Sequence, residues 1–210
     1  MLATRREFLA SLSGASAFSV RGAAPPAPPN FLVILADDLG YSDIAPFGGE
    51  IDTPNLNRLA AGGVRFRQFR NCARCCPTRA SLLTGLYNHQ AGVGHMVRDD
   101  GLPGYRGFLN ERCTTMAEAL KPAGYRTLMS GKWHVGEKRP HWPRDRGFDR
   151  YFGLISGASS YFELSHGRQM ALDDEPWEPA PGQPFYMTDA FASAAARMIR
   201  EEAGRSSPLL

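Results

Sequence analysis

The chain has 210 residues, which is long enough for a domain with a sizeable core. Hydrophobic residues make up 43% of it and charged residues 21%, which is the composition of a globular protein. Of the formal net charge of +3, the first 24 residues contribute +2, from three arginines and one glutamate. The remaining charge of +1 is too small to indicate nucleic acid or an anionic membrane surface as a partner.

The amino-terminal stretch resembles a twin-arginine export signal. Arg5 and Arg6 precede a weakly apolar run that ends at Val20, and small residues follow. The run is too short and too rich in serine and glycine to span a bilayer. We therefore predict a signal peptide over residues 1–24 and a proline-rich spacer over residues 25–30. The resemblance implies the twin-arginine export machinery as a partner and a periplasmic or secreted location; a disordered basic tail is the alternative.

Residues 31–36 form an unbroken apolar run that ends in Asp37 and Asp38. The length and β-branched content of the run predict a strand buried on both faces of a parallel sheet. Ligand sites in open α/β sheets gather outside the carboxyl ends of such strands. Two adjacent carboxylates repel each other unless a cation lies between them, so the pair indicates half of a site for a hard metal ion. A turn in which one carboxylate caps the next segment is the alternative.

The stretch from Asn71 to Gly85 carries the most reactive side chains. Cys75, Pro77 and Arg79 stand at Cys-x-Pro-x-Arg spacing, and Ala-Ser-Leu-Leu-Thr-Gly follows. Pro77 suits the first turn of a helix because its missing N–H costs nothing there, and Gly85 suits the helix end. Cys75 would then lie where free N–H groups and the helix dipole attract anions and lower the pKa of a thiol. With Arg79 about one turn away, this environment fits a reactive group that faces sulfate or phosphate.

A structural or metal-binding pair made by Cys72 and Cys75 is the alternative for this stretch. Such a site needs a second pair of ligands, and Cys113 alone does not provide one. The four cysteines give no disulfide framework either, because three of them crowd into residues 72–76.

Further elements are predicted later in the chain. Thr115 and Glu118 have the spacing of a capping box at the start of a short helix. Residues 125–130 and 151–155 have the pattern of strands. Residues 187–203 form the clearest amphipathic helix, with a threonine at its second position as the expected cap and an apolar stripe that belongs to the core.

The strand over residues 125–130 leads into Gly-Lys-Trp-His-Val-Gly. In an extended segment Lys132 and His134 point to the same side, whereas Trp133 points away. A fixed cation and a titratable imidazole on one face can hold an oxyanion and move a proton. A surface lysine and a histidine bonded to a structural partner are the alternative.

Several of these segments resemble the signatures of the type I sulfatases. The Cys-x-Pro-x-Arg spacing from Cys75 with its Leu-x-Thr-Gly tail resembles the first signature, and Gly-Lys-Trp-His-x-Gly resembles the second. Asp37 and Asp38 match the acidic pair that follows the first strand in the family. The resemblance covers residues 31–210, the amino-terminal part of a sulfatase catalytic domain. It implies an α/β fold of the alkaline-phosphatase type, a mostly parallel sheet flanked by helices, incomplete at the carboxyl end.

The resemblance also implies a chemistry, the hydrolysis of sulfuric esters. Cys75 would be oxidised after translation to formylglycine, and one hydroxyl of the hydrated aldehyde would attack sulfur. Asp37, Asp38 and the oxygen at position 75 would be ligands of Ca2+, with Mg2+ as an alternative.

The remaining site residues have roles implied by the same resemblance. Arg79 and Lys132 would stabilise the diol and the sulfate oxygens. His134 would take the proton from the second hydroxyl, so that the covalent sulfated intermediate releases sulfate and the aldehyde returns. Ser156, which follows a strand, is a weak candidate for a further contact.

The implied partners are a sulfate-ester small molecule or a sulfated glycan, and a maturation enzyme that generates formylglycine. Related phosphonate and phosphodiester hydrolases share the Cys-x-Pro-x-Arg signature, so that activity is an alternative. A truncated relic without activity, or a carbohydrate-binding remnant, is another. In the family a later Asp-Asn pair completes the metal site, and no such pair follows Lys132 here. We therefore expect a chain that holds only the amino-terminal part of the site.

Overall fold

The computed structural model describes residues 27–210, so the predicted signal peptide and the start of the spacer lie outside the described residues. Within this range there are four α-helices: α1 (Pro54–Gly62), α2 (Cys75–Thr84), α3 (Met116–Leu120) and α4 (Met187–Glu202). The four strands are β1 (Leu128–Ser130), β2 (Arg150–Leu154), β3 (Met170–Leu172) and β4 (Glu175–Trp177). Three short 3-10 helices occupy Ala45–Phe47, Lys121–Ala123 and Arg144–Arg146. None of the described helices combines the length and the apolar character needed to cross a bilayer.

The four strands form one sheet in the order β1-β2-β3-β4. Strands β1 and β2 are parallel, with Leu128 opposite Arg150, whereas β3 is antiparallel to both β2 and β4. The α/β class is confirmed, but the sheet of the described residues is mixed rather than mostly parallel. The physical reason lies partly in the connection from β3 to β4, because a tight turn can join only antiparallel strands.

The predicted strand over residues 31–36 does not form among the described residues. The N–H of Phe31 donates to the carbonyl oxygen of Leu209 at 2.8 Å, but no ladder follows. The side chains of residues 31–35 are between 41% and 72% exposed. An apolar run is buried on both faces only where neighbouring strands and helices cover it, and here the run meets an extended neighbour at one residue.

Strand β2 is buried on both faces, which places helices on the two sides of the sheet. Its alternate residues divide between two apolar clusters, as the period of two in a strand requires. Tyr151 lies in the cluster that also holds Cys76 of α2 and Ala117 of α3. Phe152 lies in the cluster that holds Met198 of α4. The described part of the chain is therefore a layered α/β structure with α2 and α3 on one side and α4 on the other.

The helix ends follow the predicted signals in part. The capping box of α3 is confirmed, since Thr115 Oγ1 accepts from the N–H of Glu118 at 3.1 Å while the N–H of Thr115 donates to Glu118 Oε2 at 2.7 Å. The prediction of Thr188 as the cap of α4 is wrong, because Tyr186 is the residue before the helix. The cap therefore lies two residues before Thr188, and Met187, which is 5% exposed and whose N–H donates to the carbonyl oxygen of Tyr161, is the first residue of the helix.

Candidate active site

Cys75 is the first residue of α2, and its position follows from the local sequence. Arg74 is extended (φ −138°, ψ 151°), the helix begins at the next residue, and it ends at Gly85, whose φ of 70° is left-handed. Pro77 occupies the first turn as predicted, since its missing N–H has no partner to lose there. No side chain among the described residues caps the helix start. The positive end of the helix dipole is therefore available to an anion beside the partly exposed Cys75.

Arg79 lies one turn further along α2 and is 8% exposed. One of its Nη atoms donates to the carbonyl oxygen of Lys132, and the other lies 3.7 Å from Asp37 Oδ2. Its Nε is buried and has no hydrogen-bond partner among the described residues. Burial lowers the pKa of Arg79, and the charge of Asp37 opposes that shift. A guanidinium keeps its proton in proteins, so Arg79 is a fixed cation, and its Nε–H has no partner among the described residues and can donate to a ligand.

Lys132 and Asp37 form the shortest ion pair of the site, with 2.7 Å between Lys132 Nζ and Asp37 Oδ2. The lysine side chain is 13% exposed and the aspartate side chain 42%. Burial raises the pKa of Asp37, but the hydrogen bond and charge of Lys132 and the charge of Arg79 outweigh it, so the pKa lies below its ordinary value. Asp37 is therefore ionised at neutral pH and is shared by two cations.

Asp38 follows in a left-handed conformation with a φ of 55°. Asp37 and Asp38 both line one cavity of about 210 Å³, together with Cys75 and Arg79. The sequence-predicted ligands and the predicted nucleophile thus border a single space.

His134 is 4% exposed, and one of its ring nitrogens lies within 4.8 Å of Cys75 Sγ. Its φ of 57° shows that the segment is not regularly extended, and the neighbouring Trp133 is fully buried. Burial lowers the pKa of His134 to about 4, and the charges of Lys132 and Arg79 act in the same direction. The imidazole is therefore neutral at neutral pH and can accept a proton. Its Nδ1 is buried and has no partner among the described residues.

The donor set can be tested against a hard metal ion. Carboxylate oxygens are the ligands that Ca2+ and Mg2+ prefer, and Asp37 and Asp38 supply them beside the cavity. The pairing of Asp37 with Lys132 and Arg79 keeps that carboxylate ionised. The type of donor therefore fits. The number of donors among the described residues falls below the six or more that these ions require.

Three contacts of the site were missed by sequence reasoning. Glu137 Oε1 lies 3.9 Å from His134 Nε2, is buried, and has no hydrogen-bond partner among the described residues. Gly157 lies so close that a Cβ there would be 2.5 Å from His134 Nε2. Cys76 is fully buried, and its Sγ belongs to the same group of atoms as the Sγ of Cys75 and a ring nitrogen of His134. Of these three contacts, only that of His134 with Glu137 joins residues close in the sequence, since they are three positions apart.

Ser156, the weak candidate, is 2% exposed, and its Oγ accepts from the N–H of Gln169 at 3.1 Å. Its hydroxyl therefore forms a hydrogen bond that links the residues after β2 to the start of β3.

Comparison with known proteins adds three findings. The family model described as Sulfatase matches residues 29–205. An arylsulfatase of Klebsiella aerogenes is 50% identical over 182 residues, which cover 78% of this chain and 37% of that protein. The solved structure of Ps i-CgsB has a TM-score of 0.72 at 27% identity and is matched over 86% of this chain and 43% of its own.

A second solved structure, that of BT4656, contains its substrate D-glucosamine-2-N,6-O-disulfate. It has a TM-score of 0.66 at 27% identity, over 86% of this chain and 33% of that chain. The chain thus spans less than half the length of each of these three proteins.

Proposed function

Because the chain belongs to the sulfatase family, we propose that the protein hydrolyses sulfuric esters by S–O cleavage, with residue 75 acting as formylglycine. Its α/β fold is that of the alkaline-phosphatase-like sulfatases. One observation carries the proposal. Cys75 stands at the open amino end of α2 and borders the same cavity as Arg79 and the two carboxylates of Asp37 and Asp38.

The chain's own residues provide an anion-binding environment at position 75. The amino end of α2 and the Nε of Arg79 offer N–H groups without partners among the described residues. Lys132 adds a second cation at the same carboxylate oxygen of Asp37. A sulfate group carries negative charge on its non-bridging oxygens, and fixed donors aimed at those oxygens stabilise it without reorganisation during the reaction. Arg79 and Lys132 are therefore assigned to orient the ester and its developing charge.

Converted to formylglycine and hydrated, residue 75 supplies one hydroxyl that attacks sulfur and displaces the alcohol or phenol of the ester, which takes up the proton of that hydroxyl. The second hydroxyl then loses its proton, the bond between carbon and the sulfate oxygen breaks, and sulfate leaves as the aldehyde returns. His134 is assigned to accept that second proton. Its burial and two neighbouring cations keep the imidazole neutral, so a ring nitrogen is free to act as a base. The ring lies close to position 75, since one of its nitrogens is within 4.8 Å of Cys75 Sγ.

Asp37 and Asp38 are assigned to hold a divalent ion, Ca2+ or Mg2+, which when bound supplies positive charge beside the reacting oxygens. Asp37 then has two competing roles, because its carboxylate also pairs with Lys132 and Arg79. Binding of the ion would weaken the ion pairs of Asp37 with Lys132 and Arg79, so that these two cations could bind the sulfate group of the ester instead. Metal binding and substrate binding are therefore expected to support each other.

The substrate is assigned as a sulfate ester of a small molecule or a glycan. Two proteins of known structure support this class, since Ps i-CgsB has been solved in complex with k-i-k-neocarrahexaose and BT4656 with D-glucosamine-2-N,6-O-disulfate. A maturation enzyme that oxidises Cys75 belongs to the same proposal. Export through the twin-arginine pathway and a periplasmic or secreted location complete it, since the paired arginines suit that route.

The experiment is hydrolysis of a chromogenic aryl sulfate and of the matched aryl phosphate by the full-length protein, produced with a maturation system. We expect the sulfate ester to have the higher kcat/KM, and Cys75→Ala to abolish its turnover. Cys72→Ser is the matched control, because Cys72 Sγ contacts Ser81 and Asn88 instead of the cavity, and it should retain activity. Preference for the phosphate, or retained activity in Cys75→Ala, would refute the proposal.

A further inference from the structure

We propose that, as long as Cys75 is still a thiol, Cys75, Cys76 and His134 form a binding site for a thiophilic metal ion, Cu+ or Zn2+. This site is distinct in its chemistry from the carboxylate site for a hard ion, although residue 75 belongs to both. It goes beyond the sulfatase activity, because it is a property of the chain before maturation.

The geometry of three side chains carries the inference. Cys75 and Cys76 are the first two residues of α2, and His134 follows β1. Their two Sγ atoms and one ring nitrogen all lie within 4.8 Å of one another. An ion bound at about 2.0–2.3 Å from such ligands needs them roughly 3.5–4 Å apart, so a small closure suffices. Among the described residues this is the one group of three or more histidine, cysteine or acidic side chains close enough to share an ion.

Two further observations point to a ligand at this place. The Nδ1 atom of His134 is buried without a hydrogen-bond partner among the described residues, and the residue is 4% exposed. Buried polar atoms are normally bonded, so a buried nitrogen without a partner is unusual, and here it belongs to a ring grouped with two thiols. The thioether of Met96 lies 3.8 Å from Cys76 Sγ and offers a fourth, weaker sulfur donor. Two thiols, an imidazole and a thioether are soft ligands, which select Cu+ or Zn2+ over Ca2+ and Mg2+.

The charged side chains around the group have both signs. Arg79 and Lys132 both lie near it, and they act on His134 as positive neighbours. Two thiolates with Cu+ carry a net charge of −1, whereas with Zn2+ they carry none. Asp37 and Glu137 are negative neighbours of the same ring and offset the two cations, so the softness of the sulfur donors carries the preference for Cu+.

The site has a consequence for maturation. While the ion is bound, the sulfur of Cys75 is occupied and cannot react with an oxidant or an alkylating agent. Once Cys75 is formylglycine, the sulfur ligand is gone and the site is lost. Metal binding and conversion of Cys75 are therefore mutually exclusive.

The test uses full-length protein produced without a maturation system, with an intact thiol at residue 75 verified by mass. Zn2+ and, under anaerobic conditions, Cu+ are titrated against a chromogenic chelator. Co2+ replaces Zn2+ to reveal thiolate-to-metal charge transfer. We expect one ion per chain, Cu+ held more tightly than Zn2+, and a loss of affinity of at least about tenfold in Cys76→Ser and His134→Ala. Cys72→Ser, outside the group, should bind as the wild type does. Equal binding by Cys76→Ser, or Co2+ binding without thiolate charge transfer, would overturn the proposal.

A second measurement needs no variant and so does not depend on the folding of one. Alkylation of the wild-type chain is followed with and without Cu+, and trypsin then separates Cys72 from Cys75 by cleaving after Arg74. We expect the ion to slow alkylation of Cys75 and to leave Cys72 unchanged. An unchanged rate at Cys75 would also reject the site. Since no substrate is present and no turnover is measured, either result leaves the sulfatase proposal untouched.

Discussion

Replacing Gly157 by alanine tests whether His134 has to lie where the structure places it. An ideal Cβ at residue 157 would be 2.5 Å from both Cε1 and Nε2 of His134 and 3.2 Å from Cδ2. Ordinary contacts begin at 3.4 Å, so the ring or the loop must move by about 0.9 Å. The backbone of Gly157 is not left-handed, so the new methyl group, and not backbone strain, is the perturbation.

The expected magnitudes follow from this displacement. The imidazole is packed in the interior, where inserting one methyl group costs about 1–3 kcal/mol of stability. A catalytic group displaced by about 1 Å loses on the order of 100-fold in rate. We therefore expect kcat for aryl sulfate hydrolysis to fall by about 10- to 100-fold at a temperature where the variant is still folded.

The assay compares kcat and urea unfolding of the matured full-length protein for Gly157→Ala, Gly62→Ala and the wild type. Gly62 is the matched control, because it ends α1 and a Cβ there meets nothing within 4 Å. Its alanine variant should keep full activity. A folded Gly157→Ala enzyme with wild-type kcat would refute the assignment of His134 as the base at this position.

Three other outcomes are expected. His134→Ala should let a sulfated enzyme accumulate after mixing with substrate, which intact-protein mass shows; rapid normal release would remove this residue from that step. Lys132→Met should raise KM for the sulfate ester and, by freeing Asp37 from its 2.7 Å pair, raise the pKa of that carboxyl; an unchanged KM would argue against a substrate contact. Burial raises the pKa of Asp149, but hydrogen bonds from Lys121 and the Thr127 backbone and the charge of Arg126 outweigh it and hold the pKa below 3.8. Its stabilisation is therefore present above pH 3.8 and lost as the pH falls through the lowered pKa. Asp149→Asn should cost about 1–2 kcal/mol in urea unfolding at pH 7, and the difference from wild type should shrink in acid; a constant difference would contradict the pairing.

The sequence was sufficient to predict those features that depend on contacts between residues close in the chain. Gly85 ends α2, and Thr115 and Glu118 form their capping box, because these contacts span three or four residues. Residues 31–36 were different. An apolar run specifies that it will be buried, but not what will cover it, and among the described residues it remains exposed.

In the candidate site, too, the local features could be predicted from the sequence and the contacts between distant residues could not. The residue types and spacing singled out Cys75, Arg79, Lys132 and His134, and the structure brings them to one region. The pairing of Asp37 with Lys132 was not predicted, since these residues are 95 positions apart. The contact of Gly157 with His134 and the burial of Cys76 beside it depend in the same way on how β2 and α2 pack.

The state of residue 75 tests the account most directly. Full-length protein is produced with a maturation system, assayed on an aryl sulfate, digested with trypsin and analysed for the peptide of residues 75–79 by mass spectrometry. The account predicts an aldehyde at residue 75, in a proportion that tracks the specific activity of each preparation. Protein that turns over sulfate esters with an intact thiol at Cys75 in every molecule would contradict it.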